Sequence, residues 1–159
     1  MARPGAQRGR AMVELGWREW VSLPSLGIAR MRAKIDTGAR SSALHVDAQW
    51  RYTEGGAPVV GFRITPGIAG HGVVEACAPV VDERDVVDSG GRRTCRVFLA
   101  AQLRVAGIDR MIELNLADRR GMRFPMLLGR SAIAGVFTVD PARSSIHGRP
   151  PRHLPGPYA

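Results

Sequence analysis

From Val13 onward, apolar and polar residues alternate in short runs, and almost no window carries the 3.6-residue period of a helix. Met31, Ala33 and Ile35 interleave with Arg30, Arg32 and Lys34, so Ala29 to Asp36 reads as a half-buried strand. Val13 to Leu23 reads as a strand pair broken by Gly16 and stopped by Pro24. Ala43 to Tyr52 alternates throughout, with Leu44, Val46, Ala48, Trp50 and Tyr52 on one face, which predicts one long amphipathic strand. Gly55-Gly56 makes a turn, Val59 to Ile64 a returning strand, and Pro66 to Gly72 a loop. Trp17 and Trp20 read as core or edge aromatics rather than ligand stackers.

The second half continues in strands. Val73 to Val81 and Arg92 to Leu99 are two of them, and Leu103 to Val105 and Arg110 to Leu116 are two more, joined around Gly107. Val87-Asp88-Ser89-Gly90-Gly91 between apolar runs is a glycine turn, so Val86 to Val97 predicts a β-hairpin. Leu127 to Arg130 is a short strand. Ser131 to Gly135 suits about one helical turn with Ser131 as N-cap, and Val136 to Val139 is a last strand stopped by Pro141. Many short strands and a single short helix predict an all-β fold, a closed or sandwich-like barrel.

Length and composition change this picture little. The chain has 159 residues, 45% hydrophobic and 23% charged, which predicts one domain with an ordinary core. No apolar run is long enough for a membrane helix. The arginines of the N-terminus precede no apolar stretch, so no secretory signal is read there and the cytoplasm is the expected location. The net charge of +9 is concentrated at the ends: Arg3, Arg8, Arg10, Arg143, Arg149 and Arg152 lie in segments without acids. We therefore read residues 1–12 as a basic disordered N-terminus, 13–146 as the domain and 147–159 as a Pro-rich tail. With no interleaving of aromatic and basic residues, nucleic acid is not an expected partner, although the ends would attract an acidic one.

The candidate chemistry lies where the third strand ends. Lys34-Ile35-Asp36-Thr37-Gly38-Ala39-Arg40-Ser41-Ser42 carries a carboxylate, a hydroxyl and a glycine at the tip of a rigid element. Asp36-Thr37-Gly38-Ala39 resembles the active-site loop of aspartic peptidases, the retropepsins in particular. Phe124-Pro125-Met126-Leu127-Leu128-Gly129-Arg130-Ser131-Ala132-Ile133 resembles their hydrophobic-hydrophobic-Gly-Arg segment and following helix. Gly16 to Pro24, Met122 to Arg130 and Phe137 to Pro141 are similar to a bacterial family commonly labelled "ATP-dependent zinc protease". That family has been regrouped among retropepsin-like peptidases and is often encoded beside ATP-grasp ligases that add glutamate to a ribosomal protein. The resemblance spans residues 13 to 146.

The resemblance implies a retropepsin-like barrel, an aspartic endopeptidase and Asp36 as its catalytic residue. Thr37, Gly38 and Ala39 would shape the loop, with Leu127, Leu128 and Gly129 supporting it from below. Val87, Asp88, Ser89, Gly90 and Gly91 would form a flap over the substrate. Such enzymes need two carboxylates sharing one proton. The chain has one Asp-Thr-Gly loop, so a homodimer is expected, pairing two copies of Asp36. Asp88-Ser89-Gly90 also has the form of a second catalytic loop, but too few residues separate it from Asp36 for a complete lobe, and a hairpin turn is the plainer reading. Where retropepsins usually carry a second acid after the loop, this chain has Arg40 and Ser41. Arg130 therefore cannot make the usual pairing, and Arg40 becomes a candidate for binding an acidic, glutamate-rich substrate.

Zinc and ATP find little support. There is no His-Glu-x-x-His pair, and His45, His71, His147 and His153 are scattered. Cys77 and Cys95 lack a Cys-x-x-Cys partner and read as core thiols rather than a disulfide. There is no phosphate-binding Gly-x-x-x-x-Gly-Lys loop, so no metal or cofactor is expected. Two other readings stand beside the peptidase: a non-catalytic module that binds a peptide or protein tail, and a zinc-dependent protease.

Overall fold

The computed structural model describes residues 11–67, 72–118 and 123–154; His71, the first ten residues and the last five lie outside the described residues. The all-β expectation holds. The strands are β1 (Val13–Leu15), β2 (Arg18–Leu23), β3 (Ile28–Ile35), β4 (Ser42–Val46), β5 (Ala48–Glu54) and β6 (Ala57–Ile64), followed by β7 (Val74–Pro79), β8 (Asp82–Val87), β9 (Arg93–Val105), β10 (Ile108–Asp118), β11 (Met126–Leu128) and β12 (Phe137–Val139). One short helix, α1 (Arg130–Ile133), lies between the last two strands.

The main sheet has the order β10-β4-β11-β3-β2-β9-β8, and β9 also pairs with β10. The ladder thus returns on itself, though the β2–β9 junction is a single partner pair, Ser22 with Arg104. β1 pairs with β12, and β5, β6 and β7 form a separate antiparallel sheet. The core is drawn from nearly every strand: Leu15, Met31, Leu44, Phe62, Leu99, Leu114 and Met126 are all fully buried.

Several local expectations are corrected. The stretch Ala43 to Tyr52 is two strands in two sheets. The break falls at Asp47, whose carboxylate accepts from Thr65 Oγ1 at 2.7 Å and whose amide donates to Arg63 O. β4, a central strand between β10 and β11 with α1 and β6 packed against it, is buried along its whole length, while β5 is largely exposed. Sequence alternation alone does not reveal that change of environment. Conversely, the two strands expected over Arg92–Leu99 and Leu103–Val105 merge into one 13-residue strand, β9, from Arg93 on, because Ala100 to Gln102 continue its pairing with β10. The helix starts one residue early, with Gly129 as its N-cap and no side-chain cap. Cys77 and Cys95 are free but exposed rather than in the core.

The segment after β12 packs back on the domain. Ser145 N donates to Arg18 O, and the buried Glu19 carboxylate accepts from the amides of Gly16, Ile146 and His147. Arg30 Nη1 donates to Pro150 O, and the Arg149 guanidinium lies 4.9 Å from the Trp20 ring centre. Trp17 meets Phe124 edge to face at 6.0 Å and stays partly exposed, as an edge aromatic does.

Candidate active site

The alternating residues of β3 bury Ala33 and Ile35 and carry the chain to Asp36 at the strand's end. There β11 lies parallel to β3, with Met126, Leu127 and Leu128 opposite Ala33, Lys34 and Ile35. The ladder continues through the loop: Asp36 N donates to Leu128 O at 2.9 Å, Arg130 N to Ala39 O at 2.8 Å and Ser131 N to Arg40 O at 3.1 Å. Leu127, Leu128 and Gly129 thus lie against the loop from its own backbone outward.

The loop is also tied internally. Asp36 Oδ1 accepts from Gly38 N at 2.9 Å and Ala39 N at 3.2 Å. These bonds leave Oδ2 without a hydrogen-bond donor among the described residues. Arg130 Nη1 reaches back to the carbonyls of Thr37 and Gly38 at 3.3 and 3.4 Å. In place of an acid, the late arginine therefore holds two loop carbonyls. Thr37 is exposed and contributes this carbonyl, rather than its hydroxyl, to the loop's hydrogen bonds.

Over this base stands the β8–β9 hairpin. Asp88 organises its tip: Oδ1 accepts from Gly90 N and Arg92 N at 2.9 Å, and Gly91 takes the left-handed conformation at φ 81°. Asp36 and Asp88 share the habit of holding a glycine amide two residues on. They differ in setting, since one ends a strand clamped by β11 and the other turns an exposed hairpin. A cleft of about 930 Å³ separates hairpin and base. Asp36, Gly38, Ala39, Arg40 and Leu127 line it from below, and Val87, Asp88 and Ser89 from the hairpin. Thr37, Leu128, Gly129, Gly90 and Gly91 do not line it.

The cleft also gathers cations. Arg84 and Arg96 join Arg40 and Arg130 along its wall. Arg84 is bound to Asp82 and Glu113, which raise its pKa, and its guanidinium lies 4.2 Å from the Phe98 ring centre. Burial lowers the Arg96 guanidinium from its usual value, while the charges of Asp88 and Asp118 act in the opposite sense.

Sequence reasoning missed a polar relay behind the loop. Arg96 Nη1 donates to Asn115 Oδ1 at 3.0 Å, Asn115 Nδ2 donates to Ser42 O at 2.9 Å, and Ser42 Oγ accepts from Gly129 N at 3.1 Å. Ser42 and Asn115 are buried. The available signal was a lone asparagine among the apolar residues of Ile112 to Leu116. His45, buried beside the cleft, has Nδ1 2.7 Å from Phe124 O. Among the described residues no group of three or more His, Cys, Asp or Glu side chains is placed to hold a metal ion.

Residues 14–150 match the RimB-like family, described as the retropepsin-like aspartic endopeptidase RimB. The chain belongs to this family. It is 33% identical over 131 residues to a probable alpha-L-glutamate ligase of Shewanella pealeana, covering 82% of this chain and 29% of that protein. A probable alpha-L-glutamate ligase of Desulfotalea psychrophila is 35% identical over 129 residues, covering 80% of this chain and 28% of the relative. The chain thus spans under a third of the length of these curated relatives. A crystal structure of a Legionella pneumophila protein of unknown function shares the fold, with a TM-score of 0.72, 24% identity and coverage of 86% of this chain and 99% of that one.

Proposed function

We propose that the chain is an aspartic endopeptidase whose catalytic pair is Asp36 from each of two copies. The observation that carries this reading is the setting of Asp36: a carboxylate at the tip of a clamped strand, at the floor of a cleft roofed by a hairpin. Asp88 turns an exposed hairpin rather than ending a clamped strand, which favours a second copy as the source of the partner carboxylate. Two carboxylates about 3 Å apart share one proton, because both cannot ionise together. The ionised member draws a proton from water, and the protonated member polarises the scissile carbonyl. The β8–β9 hairpin holds the extended substrate and excludes water, as flaps do.

The substrate in this reading is a peptide or protein rich in glutamate. Arg40 and Arg96 face the same cleft as Asp36 without a carboxylate ion-pair partner among the described residues. Relatives that contain this region are named for glutamate ligation, so the region occurs within proteins named for handling that amino acid. Those names also favour a second reading, a module that binds such a tail without cutting it. The exposed free thiols Cys77 and Cys95 suit the reducing cytoplasm. No helix among the described residues is long and apolar enough to cross a membrane.

The test is cleavage of a mixed peptide library, followed by mass spectrometry from about pH 4 to 8, for the wild type and Asp36→Asn with and without a chelator. The expected result is cleavage that resists the chelator and is lost in the variant. Cleavage lost to the chelator would favour a metal enzyme, and binding without cleavage would favour the module.

A further inference from the structure

Away from the cleft, one face of the β2–β3 pair is a stripe of cations. Arg30, Arg32 and Lys34 occupy alternate positions of β3, Arg18 lies directly across from Lys34, and Trp20 across from Arg32. The docked segment after β12 adds Arg149 and Arg152. Arg32 and Arg149 each place a guanidinium 4.9 Å from the Trp20 ring centre, and Arg30 lies at 5.8 Å.

None of these six cations has a carboxylate partner among the described residues. All 14 Asp and Glu side chains of the protein fall within those residues, so no side-chain carboxylate remains to neutralise the stripe. Arg30 is 95% buried, since only 5% of its surface is exposed. Its pKa is lowered first by that burial and then by the charges of Arg149 and Arg152. Two buried side-chain nitrogens without a hydrogen-bond partner occur among the described residues, Arg18 Nε and Arg30 Nε, and both belong to this stripe. These two unmet donors and the lack of an ion pair leave the face without a counter-charge from the chain itself.

We infer that this face is a second binding site, for an extended acidic polypeptide, distinct from the catalytic cleft. Cations on alternate residues of a strand repeat every ~6.7 Å, the spacing of carboxylates on alternate residues of an extended acidic chain. The planar guanidinium forks match carboxylates in geometry as well as charge. A single-stranded nucleic acid would need an open aromatic face for its bases, whereas Trp20 is already flanked by arginines. The inference does not rest on peptidase activity.

The test is fluorescence anisotropy of labelled octaglutamate with the full chain carrying Asp36→Asn, so that no cleavage intervenes. The double variant Arg32→Ser/Arg149→Ser should weaken binding at least ~10-fold and flatten its salt dependence, while Arg63→Ser, on the separate β5–β7 sheet, leaves it unchanged. Lys34→Ser/Arg152→Ser, at exposed positions, should weaken binding in the same direction with the melting temperature preserved. Unchanged binding in both double variants would overturn the inference, as would an equal loss on Arg63→Ser. Tighter binding of single-stranded poly(U) than of octaglutamate at this face would overturn it as well. Failure of the peptidase reading would appear separately, as absence of cleavage by the wild type.

Discussion

The amide of Gly129 donates to the hydroxyl of Ser42 at 3.1 Å, across 87 residues of sequence. This bond joins the closing segment of the chain to the end of the aspartate loop. A side chain at 129 has no room there, since a Cβ would fall 2.4 Å from Ser41 O and 3.0 Å from Ala39 O. Both obstacles are backbone, which cannot swing aside. Gly129→Ala should therefore destabilise the fold by about 1–3 kcal/mol, a drop of roughly 3–10 °C in melting temperature for a domain of this size. Thermal unfolding checks the stability. Library cleavage should fall as well, because the displaced atoms belong to the loop of Asp36.

The proposed pairing of two Asp36 side chains would make activity depend on a dimer. Specific activity should fall on dilution. Mixing wild type with an equal amount of Asp36→Asn, with free exchange, should leave about a quarter of the dimers with two aspartates. Activity per wild-type chain should then be about half that of unmixed enzyme. Activity that scales linearly with wild-type chain under both conditions would rule out the shared site. The single variant alone should lose about 10²–10⁴-fold in turnover.

Glu19 is the clasp of the C-terminal segment. Its buried carboxylate collects the amides of Gly16, Ile146 and His147 at 2.6, 3.2 and 3.4 Å. Glu19→Ala strands these donors and should cost about 1–3 kcal/mol. Limited proteolysis should then cut after residue 143 more rapidly than in the wild type. Release of this segment would also lift Arg149 from Trp20, which the tryptophan fluorescence would report.

The root of the hairpin carries a pH dependence. The Asp82 carboxylate is held below its ordinary pKa, first by the hydrogen bond from Arg84 and then by that from the Glu83 amide. A carboxylate with a depressed folded pKa contributes stability above its unfolded value of about 3.9 and loses it as pH falls through the folded value. Wild type should therefore melt above Asp82→Asn at pH 6, and the gap should narrow below about pH 4. A gap that widened on acidification would contradict this assignment.

The fold class and the loop were legible because both are local. Alternation along β3 and the residues at its end need no distant information, and neither does the glycine turn at Asp88. The division of Ala43 to Tyr52 was not legible, because Asp47 marks a passage between sheets that alternation does not register. The extent of β9 was hidden for a related reason. Ala100 to Gln102 look like a break until β10 supplies their partners. The Arg96–Asn115–Ser42 relay and the docking of Arg149 on Trp20 join distant parts of the sequence, so they become visible only once the strands are placed.

Arg130 reaches Thr37 over 93 residues of sequence. A chain is made from its N-terminus, so Asp36 emerges well before the segment that fixes its loop. Pairings between such distant strands are slow to form, because a large loop must close first. Thr37, next to the aspartate, therefore leaves the ribosome 93 residues ahead of the arginine that holds its loop. A chain stopped before Gly129 lacks the donors that hold the Asp36 loop, so the candidate site is incomplete while that stretch is still being translated.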